Sequence, residues 1–317
     1  MQCTCRIIRS VTGAGTGTIS DADPAPENRR KGTANGKWRC FLKGRKMANE
    51  IKRIKTDSCE MEYFSFGTGE KTMVILPGLS VISVMKSAHA IKEAYAPMTD
   101  DFTIYVLDRR LDMPEPYTVA DMAEDTVSVL RALDLKNICL FGASQGGMIA
   151  MTIAVTAPDL VAKLALGSSA ARVCGEDFSE LSSWVSLAEK KDATALYQAF
   201  AQALYPKEMY EAYKDVFTMM SKTVTDEDLS RFVIQAKGTE GFDVLDRLSE
   251  ITCPVLLLGA NDDAVLGVKP SEEIISRLSG REDFEFFMYD GYGHAAFDTA
   301  PDYKERLLKF FMKGLCK

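Results

Sequence analysis

The chain has 317 residues, of which 46% are hydrophobic and 26% charged, an ordinary balance for a globular protein and enough for one large domain or two small ones. Its net charge of −7 is unevenly placed: residues 1–46 hold ten lysines and arginines against three acids, and the remainder 28 against 42. The acidic body argues against nucleic acid as a partner, and no apolar run approaches the roughly 18 residues needed to cross a membrane.

Residues 1–46 combine that basic charge with Gly13-Ala-Gly-Thr-Gly17, Pro24-Ala-Pro26 and few large apolar residues. Such a composition cannot bury a core and predicts a disordered extension, or upstream translation ahead of a natural start at Met47. The Gly-x-Gly-x-Gly does not follow a strand and has the wrong spacing for a dinucleotide. The head also lacks the continuous apolar segment of a secretory signal. Of eight cysteines, Cys3, Cys5 and Cys40 lie in the head, and Cys59, Cys139, Cys174, Cys253 and Cys316 are scattered singly. That pattern matches neither a zinc site nor a disulfide framework, so a reducing cytoplasm and a protein without metal are the expectation.

From Met47 onward the pattern alternates. Ile51 to Cys59 and Met61 to Phe66 read as short strands, followed by strands at Lys71–Leu76 and Phe102–Leu107 with a helical segment at 82–96 between them. Thr118-x-x-Asp121 reads as a helix start ahead of an apolar stripe at Val119, Met122, Ala123, Val127, Leu130 and Leu133. Ile138 to Phe141 is the next strand and Met148 to Val155 a buried helix; Val161–Leu166 is a further strand. From Glu176 to Ser249 only helical periodicity appears: Phe178, Leu181, Trp184, Val185, Ala188; Leu196, Phe200, Leu204; Tyr213, Phe217, Met220. The alternation resumes with a strand at Cys253–Gly259, a helix near Ser271–Leu278, the strand Phe284–Tyr289 and a helix over Asp302–Met312. This predicts an α/β fold with a mostly parallel central sheet covered by helices on both faces. Residues 47–172 and 251–317 form that core. Residues 173–250 are an inserted all-helical cap over the carboxyl ends of the strands, where ligands bind in such sheets.

Between the fifth predicted strand and its helix stands Gly142-Ala-Ser144-Gln-Gly146. A strand that becomes a helix within four residues must fold back sharply, and glycine at both flanks removes the Cβ atoms that would clash. Ser144 is thereby presented at a helix N-terminus, which favours negative charge. A serine needs a base, and only two histidines exist. His89 lies inside a helical segment; His294 lies in the glycine-flanked loop Gly291-Tyr-Gly-His-Ala-Ala-Phe after the last strand, and is the candidate. The acid that orients it is sought in Gly259-Ala-Asn-Asp262-Asp263: Asp262 is the first choice and Asp263 the second. The chain order Ser144, Asp262, His294 is that of one known fold family. Backbone N–H groups of Gln145, after the nucleophile, and of Leu79, in Pro77-Gly78-Leu79 after the third strand, are the candidate oxyanion donors.

With these segments assembled, the chain resembles the α/β-hydrolase superfamily over roughly residues 50–315, with a helical cap like that of its small-molecule esterases, carbon–carbon hydrolases and peptidases. The motifs carrying the resemblance are Leu76-Pro-Gly-Leu, Gly142-Ala-Ser-Gln-Gly-Gly, Cys253-Pro-Val-Leu-Leu-Leu-Gly-Ala-Asn-Asp262 and Gly293-His294-Ala-Ala-Phe. In that family the acid commonly stands three residues after the glycine ending its strand, which is Asp262 here. Two departures stand out: Pro77-Gly78 replaces the usual His-Gly, and the loop after Asp108 is Arg109-Arg-Leu-Asp-Met-Pro instead of glycine-rich. The resemblance implies a cofactor-free hydrolase of small carboxylic esters or thioesters, acting through an acyl-enzyme on Ser144. The rivals are a peptidase, carbon–carbon hydrolase or acyltransferase on the same triad, or a non-catalytic ligand-binding member. Trp184, Phe200, Phe217, Met219, Met220, Phe242 and Met148 are candidate linings of an acyl pocket, and Glu176, Glu180 and Glu208 candidate partners for a substrate amine. A small molecule is thus the expected partner, with self-association into a homo-oligomer left open.

Overall fold

The structure is a computed structural model that describes residues 51–173, 175 and 179–314. The basic head with its start at Met47, together with Cys174, Glu176, Phe178 and Cys316, lies outside the described residues.

Eight strands form one sheet: β1 (Lys52–Lys55), β2 (Glu60–Phe66), β3 (Lys71–Leu76), β4 (Phe102–Arg110), β5 (Ile138–Ala143), β6 (Val161–Gly167), β7 (Val255–Ala260) and β8 (Phe284–Tyr289). Their spatial order is β1-β2-β4-β3-β5-β6-β7-β8. Only the β1–β2 and β2–β4 ladders are antiparallel, so the sheet is mostly parallel, as its alternating sequence predicts. Every residue of β5 and β7 is buried, because a parallel strand between two helical layers has no solvent face. Alternation sorts these residues: Phe141 and Leu258 point into one core with Trp184, Phe200 and Phe311, while Leu140 and Leu257 join Met122, Ile149 and Ile274 in the other.

Along the chain from β3 to β6 come α1 (Ala88–Ala94), which packs into the first of these cores, and α2 (Val119–Ala132) and α3 (Gln145–Thr156), which pack into the second. Thr118 caps α2 as its spacing to Asp121 predicts: its Oγ1 accepts the Asp121 N–H at 3.2 Å, and Asp121 Oδ2 accepts the Thr118 N–H at 2.8 Å. Such a reciprocal cap contributes about 1 kcal/mol. The predicted helix over 82–96 is instead split into a 3-10 turn (Val84–Ser87), α1, and a second 3-10 turn (Ala96–Met98) with Pro97 near its start. β4 runs to Arg110, beyond the predicted Leu107, because β2 still pairs with it there (Met61 opposite Arg110).

Between β6 and β7 come α4 (Ser179–Glu189), α5 (Ala193–Leu204), α6 (Lys207–Ser221) and α7 (Asp226–Lys237). No strand interrupts them among the described residues. After β7 follow α8 (Lys269–Leu278), β8, the short α9 (Ala296–Thr299) and α10 (Tyr303–Met312). Lys163 reaches out of β6 to cap α10, donating to the carbonyls of Phe310 (2.8 Å), Phe311 (3.2 Å) and Lys313, where helix carbonyls lack partners and favour a cation. Among the described residues no helix is long and apolar enough to cross a membrane, and no cluster of histidine, cysteine and carboxylate side chains could hold a metal. Cys59, Cys139 and Cys253 are buried free thiols.

Candidate active site

Parallel pairing delivers two loops side by side at the carboxyl edge of the sheet. Leu76 lies opposite Gly142, so Pro77-Gly78 and Ala143-Ser144 leave β3 and β5 together. Ser144 stands between β5 and α3 with φ 51° and ψ −124°, a left-handed conformation costing on the order of 1–3 kcal/mol for a non-glycine residue. The turn is so tight that a Cβ on Gly142 would stand 2.2 Å from the Gly146 carbonyl oxygen, and one on Gly146 2.1 Å from that of Leu76. Backbone cannot yield as a flexible side chain can. Gly146→Ala therefore costs about 3 kcal/mol, the upper end of typical overpacking, read as a lower midpoint in urea unfolding. The Ser144 N–H donates to the Gly167 carbonyl at 2.8 Å and Ser169 Oγ to the Ser144 carbonyl at 2.8 Å, so β6 anchors the strained residue.

The second pair of loops leaves β7 and β8, where Ala260 lies opposite Tyr289. His294 is 2% exposed, and its Nδ1 stands 2.8 Å from Asp263 Oδ2. The other oxygen of Asp263 accepts the N–H groups of Val265 (2.8 Å) and Leu266 (2.9 Å), which locks the carboxylate against the ring. The expectation that Asp262 would meet the imidazole is corrected: Asp262 is exposed and accepts the Gly293 N–H at 3.1 Å. Neighbouring side chains diverge at the turn, and it is Asp263 that turns inward. Gly293, with φ 63°, lets the loop pass beneath α5, where a Cβ would stand 3.0 Å from the Leu204 carbonyl oxygen; the Ala295 N–H donates to that same carbonyl at 3.0 Å. His89 is on the surface beside Glu93, at 3.3 Å, and Asp290 accepts from Asn261 Nδ2 at 2.8 Å.

Ser144 and His294 border one narrow cavity of about 50 Å³, together with Pro77, Gly78, Leu79, Ser80 and Gln145. Its remaining wall is almost wholly apolar: Val84, Met148, Val265, Leu266 and Phe297 from the core, and Leu181, Trp184, Phe200 and Leu204 from the helices between β6 and β7, with Thr239 as the polar exception. Three of the anticipated lining residues, Trp184, Phe200 and Met148, are there. The other four are not: Met219 is solvent-exposed, Met220 packs at the edge of one core, Phe217 is sealed within it, and Phe242 sits in the other. Glu180, half-buried, and Glu208, exposed, do not line the cavity, whose described lining holds no carboxylate. Leu79 borders the cavity one residue beyond Gly78, where a Cβ would stand 3.0 Å from the Ser144 Cβ. Its N–H has no acceptor among the described residues. None of residues 109–117 borders the cavity; Arg109 is instead buried behind it, with its Nη2 at 2.8 Å from the Pro77 carbonyl and 3.3 Å from Gln145 Oε1. Sequence spacing carried no sign of that link, since its partners stand 32 and 36 residues apart.

Residues 116–299 match the model of the serine aminopeptidase (S33) family, a span of more than half the chain that runs through the turn at Ser144, the helices between β6 and β7 and the histidine loop. The chain belongs to that family. This S33 chain is an α/β-hydrolase enzyme by its family, its relatives and its architecture. RutD of Agrobacterium fabrum, named as a carbamate hydrolase, is 24% identical over 224 residues, covering 68% of this chain and 85% of RutD. A protein of Haemophilus influenzae named as an esterase/lipase is 26% identical over 192 residues, 60% of this chain and 66% of the relative. Among solved structures, the α/β hydrolase MGS-M2 from a Medee basin deep-sea metagenome library superposes with a TM-score of 0.74 at 19% identity, covering 84% of this chain and 99% of MGS-M2. The esterase EaEST of Exiguobacterium antarcticum gives 0.67 at 20% identity, with 82% and 97% covered. At such identities the superpositions speak for the S33 chain's fold alone.

Proposed function

We propose that this hydrolase cleaves small, uncharged carboxylic esters through an acyl-enzyme on Ser144, with His294 as base and then acid and Asp263 orienting the ring. The observation that carries the reading is the buried 2.8 Å contact between His294 Nδ1 and Asp263 Oδ2, at the rim of the cavity that Ser144 also borders. A carboxylate on Nδ1 fixes the proton there and leaves Nε2 free to take the serine's proton. Oγ then attacks the ester carbonyl, the carbonyl electrons move to oxygen, and the N–H groups of Leu79 and Gln145 receive the charge. Nε2–H protonates the departing alcohol, and water, deprotonated by the same nitrogen, releases the acid. The Oγ–Nε2 approach this requires commonly tightens only once substrate is bound.

Cavity chemistry narrows the substrate. An apolar wall without a carboxylate favours an uncharged acyl group over a free amino terminus, so the ester reading ranks ahead of the peptidase one. Carbamates are the second reading, favoured by relatives such as RutD, and need no change of triad. Steady-state and burst kinetics on p-nitrophenyl acetate, butyrate and hexanoate, set beside a p-nitrophenyl carbamate and an aminoacyl p-nitroanilide, test the proposal. Short esters with a stoichiometric burst of p-nitrophenol are expected; turnover confined to the anilide would contradict it.

Trp184 and Phe200 meet in the wall with ring centroids 4.5 Å apart. Shortening this partition lengthens the acyl group accepted. With Trp184→Leu, kcat/KM for the hexanoate relative to the acetate rises about tenfold, the scale on which one or two methylenes are discriminated, measured on the same ester series.

A further inference from the structure

Arg109, the last residue but one of β4, is one of the largest side chains sealed in the interior, only 2% exposed. Its neighbour Asp108 does not neutralise it through a hydrogen bond to the guanidinium. That carboxylate accepts the Arg109 backbone N–H at 2.8 Å and Ser83 Oγ at 2.5 Å. Among the described residues the guanidinium hydrogen-bonds only to neutral acceptors, the Pro77 carbonyl and Gln145 Oε1, and its Nε has no partner. Burial pulls its pKa below the usual arginine value. The adjacent Asp108 carboxylate offsets only part of that cost through space, and a buried cation with no anion hydrogen-bonded to it is unfavourable, so its retention calls for a use.

The two acceptors stand on the two loops that the proposed reaction needs. Pro77 precedes Gly78 and Leu79; Gln145 follows the nucleophile. We propose that Arg109 is a positioning residue for the oxyanion hole: one nitrogen, Nη2, braces both donor loops against each other. The inference rests on the acyl-enzyme reading above. Gly78 has no side chain to hold its backbone, so the peptide carrying the Leu79 N–H is steadied from its near side by the anchored Pro77 carbonyl. Gln145 is held from both ends, since its Nε2 donates to the Gln235 carbonyl (2.7 Å) and to Thr239 Oγ1 (2.8 Å). The brace thus continues from the oxyanion loop through the elbow into α7. A positive charge fixed behind these loops also favours the negative oxygen that forms in a water-poor site, at no reorganisation cost during the reaction.

The test compares wild type with Arg109→Met, similar in reach but uncharged, and Arg109→Lys, which keeps the charge without the fork. Three quantities are read: kcat and KM on p-nitrophenyl butyrate, the affinity of a trifluoromethyl ketone that forms a tetrahedral adduct with the serine, and the circular-dichroism melting curve. For Arg109→Met, kcat falls about 10- to 100-fold, below the full loss of one donor, with KM within about twofold. Ketone affinity falls by the same factor as kcat, and Arg109→Lys lies between. A folded Arg109→Met with wild-type kcat and ketone affinity overturns the proposal, as does a loss confined to KM. Should Arg109→Met not fold, Arg109→Lys decides: a folded lysine variant with unchanged kcat and ketone affinity is equally fatal. Wild type without esterase activity or adduct formation removes the acyl-enzyme reading itself, whereas an active wild type matched by its variants removes only the role of Arg109.

Discussion

Asp263→Asn lowers the turnover of p-nitrophenyl esters by about 10⁴-fold, the scale expected when the histidine is left in the wrong tautomer. Asparagine fits the space, and its oxygen can still accept the N–H groups of Val265 and Leu266, which now hold Asp263 Oδ1 at 2.8 and 2.9 Å. Its amide nitrogen then faces His294 Nδ1, and a nitrogen that carries protons cannot accept one. The ring proton is driven to Nε2, where the serine needs a lone pair. Geometry survives; basicity at the working atom does not. Asp262→Asn is the matched control. That side chain is exposed and only accepts the Gly293 N–H at 3.1 Å, a bond an amide oxygen also makes, so activity stays within about threefold, as for most surface changes. Equal losses in the two variants, or a larger loss at position 262, would sink the assignment of the acid.

Ser144→Ala has the larger effect, about 10⁶-fold in kcat, because the triad works as a unit and no second nucleophile takes over. Fold stability changes little: alanine retains the backbone N–H bonded to Gly167 and the carbonyl that accepts from Ser169, both at 2.8 Å. Alanine at φ 51° keeps the same strain and removes only the hydroxyl. Stopped-flow kinetics should therefore show no burst, while urea unfolding gives a midpoint near that of wild type. A burst that persisted in this variant would place the acyl group elsewhere in the chain.

What the sequence disclosed follows a physical division. The elbow was legible because backbone contacts dictate it: Gly142 and Gly146 each leave no room for a Cβ, and such a demand is written directly into residue identity. His294 was legible by scarcity, one of only two histidines. Spacing alone could not separate Asp262 from Asp263. The choice depends on how the turn after β7 closes, with Asp263 Oδ1 taking two backbone N–H groups just downstream; counting three residues from Gly259 misses that rotation. The lining was half legible for a related reason. A large apolar residue at helical spacing packs wherever the nearest partner stands, and Phe217 found Tyr205 and Tyr210, with ring centroids 5.7 and 6.1 Å away, instead of the cavity. The Arg109 brace was invisible, because a hydrogen bond between β4, the β3 loop and the elbow has no local pattern.

Activation of the Ser144 hydroxyl by the His294–Asp263 pair can be read by intact-protein and peptide mass spectrometry after treatment with a fluorophosphonate. The expected result is one phosphonyl group per chain on the peptide carrying Ser144, formed rapidly in wild type and Asp262→Asn, far more slowly in Asp263→Asn, and not at all in Ser144→Ala. Wild type that stays unlabelled, or carries the adduct on another residue, would contradict it.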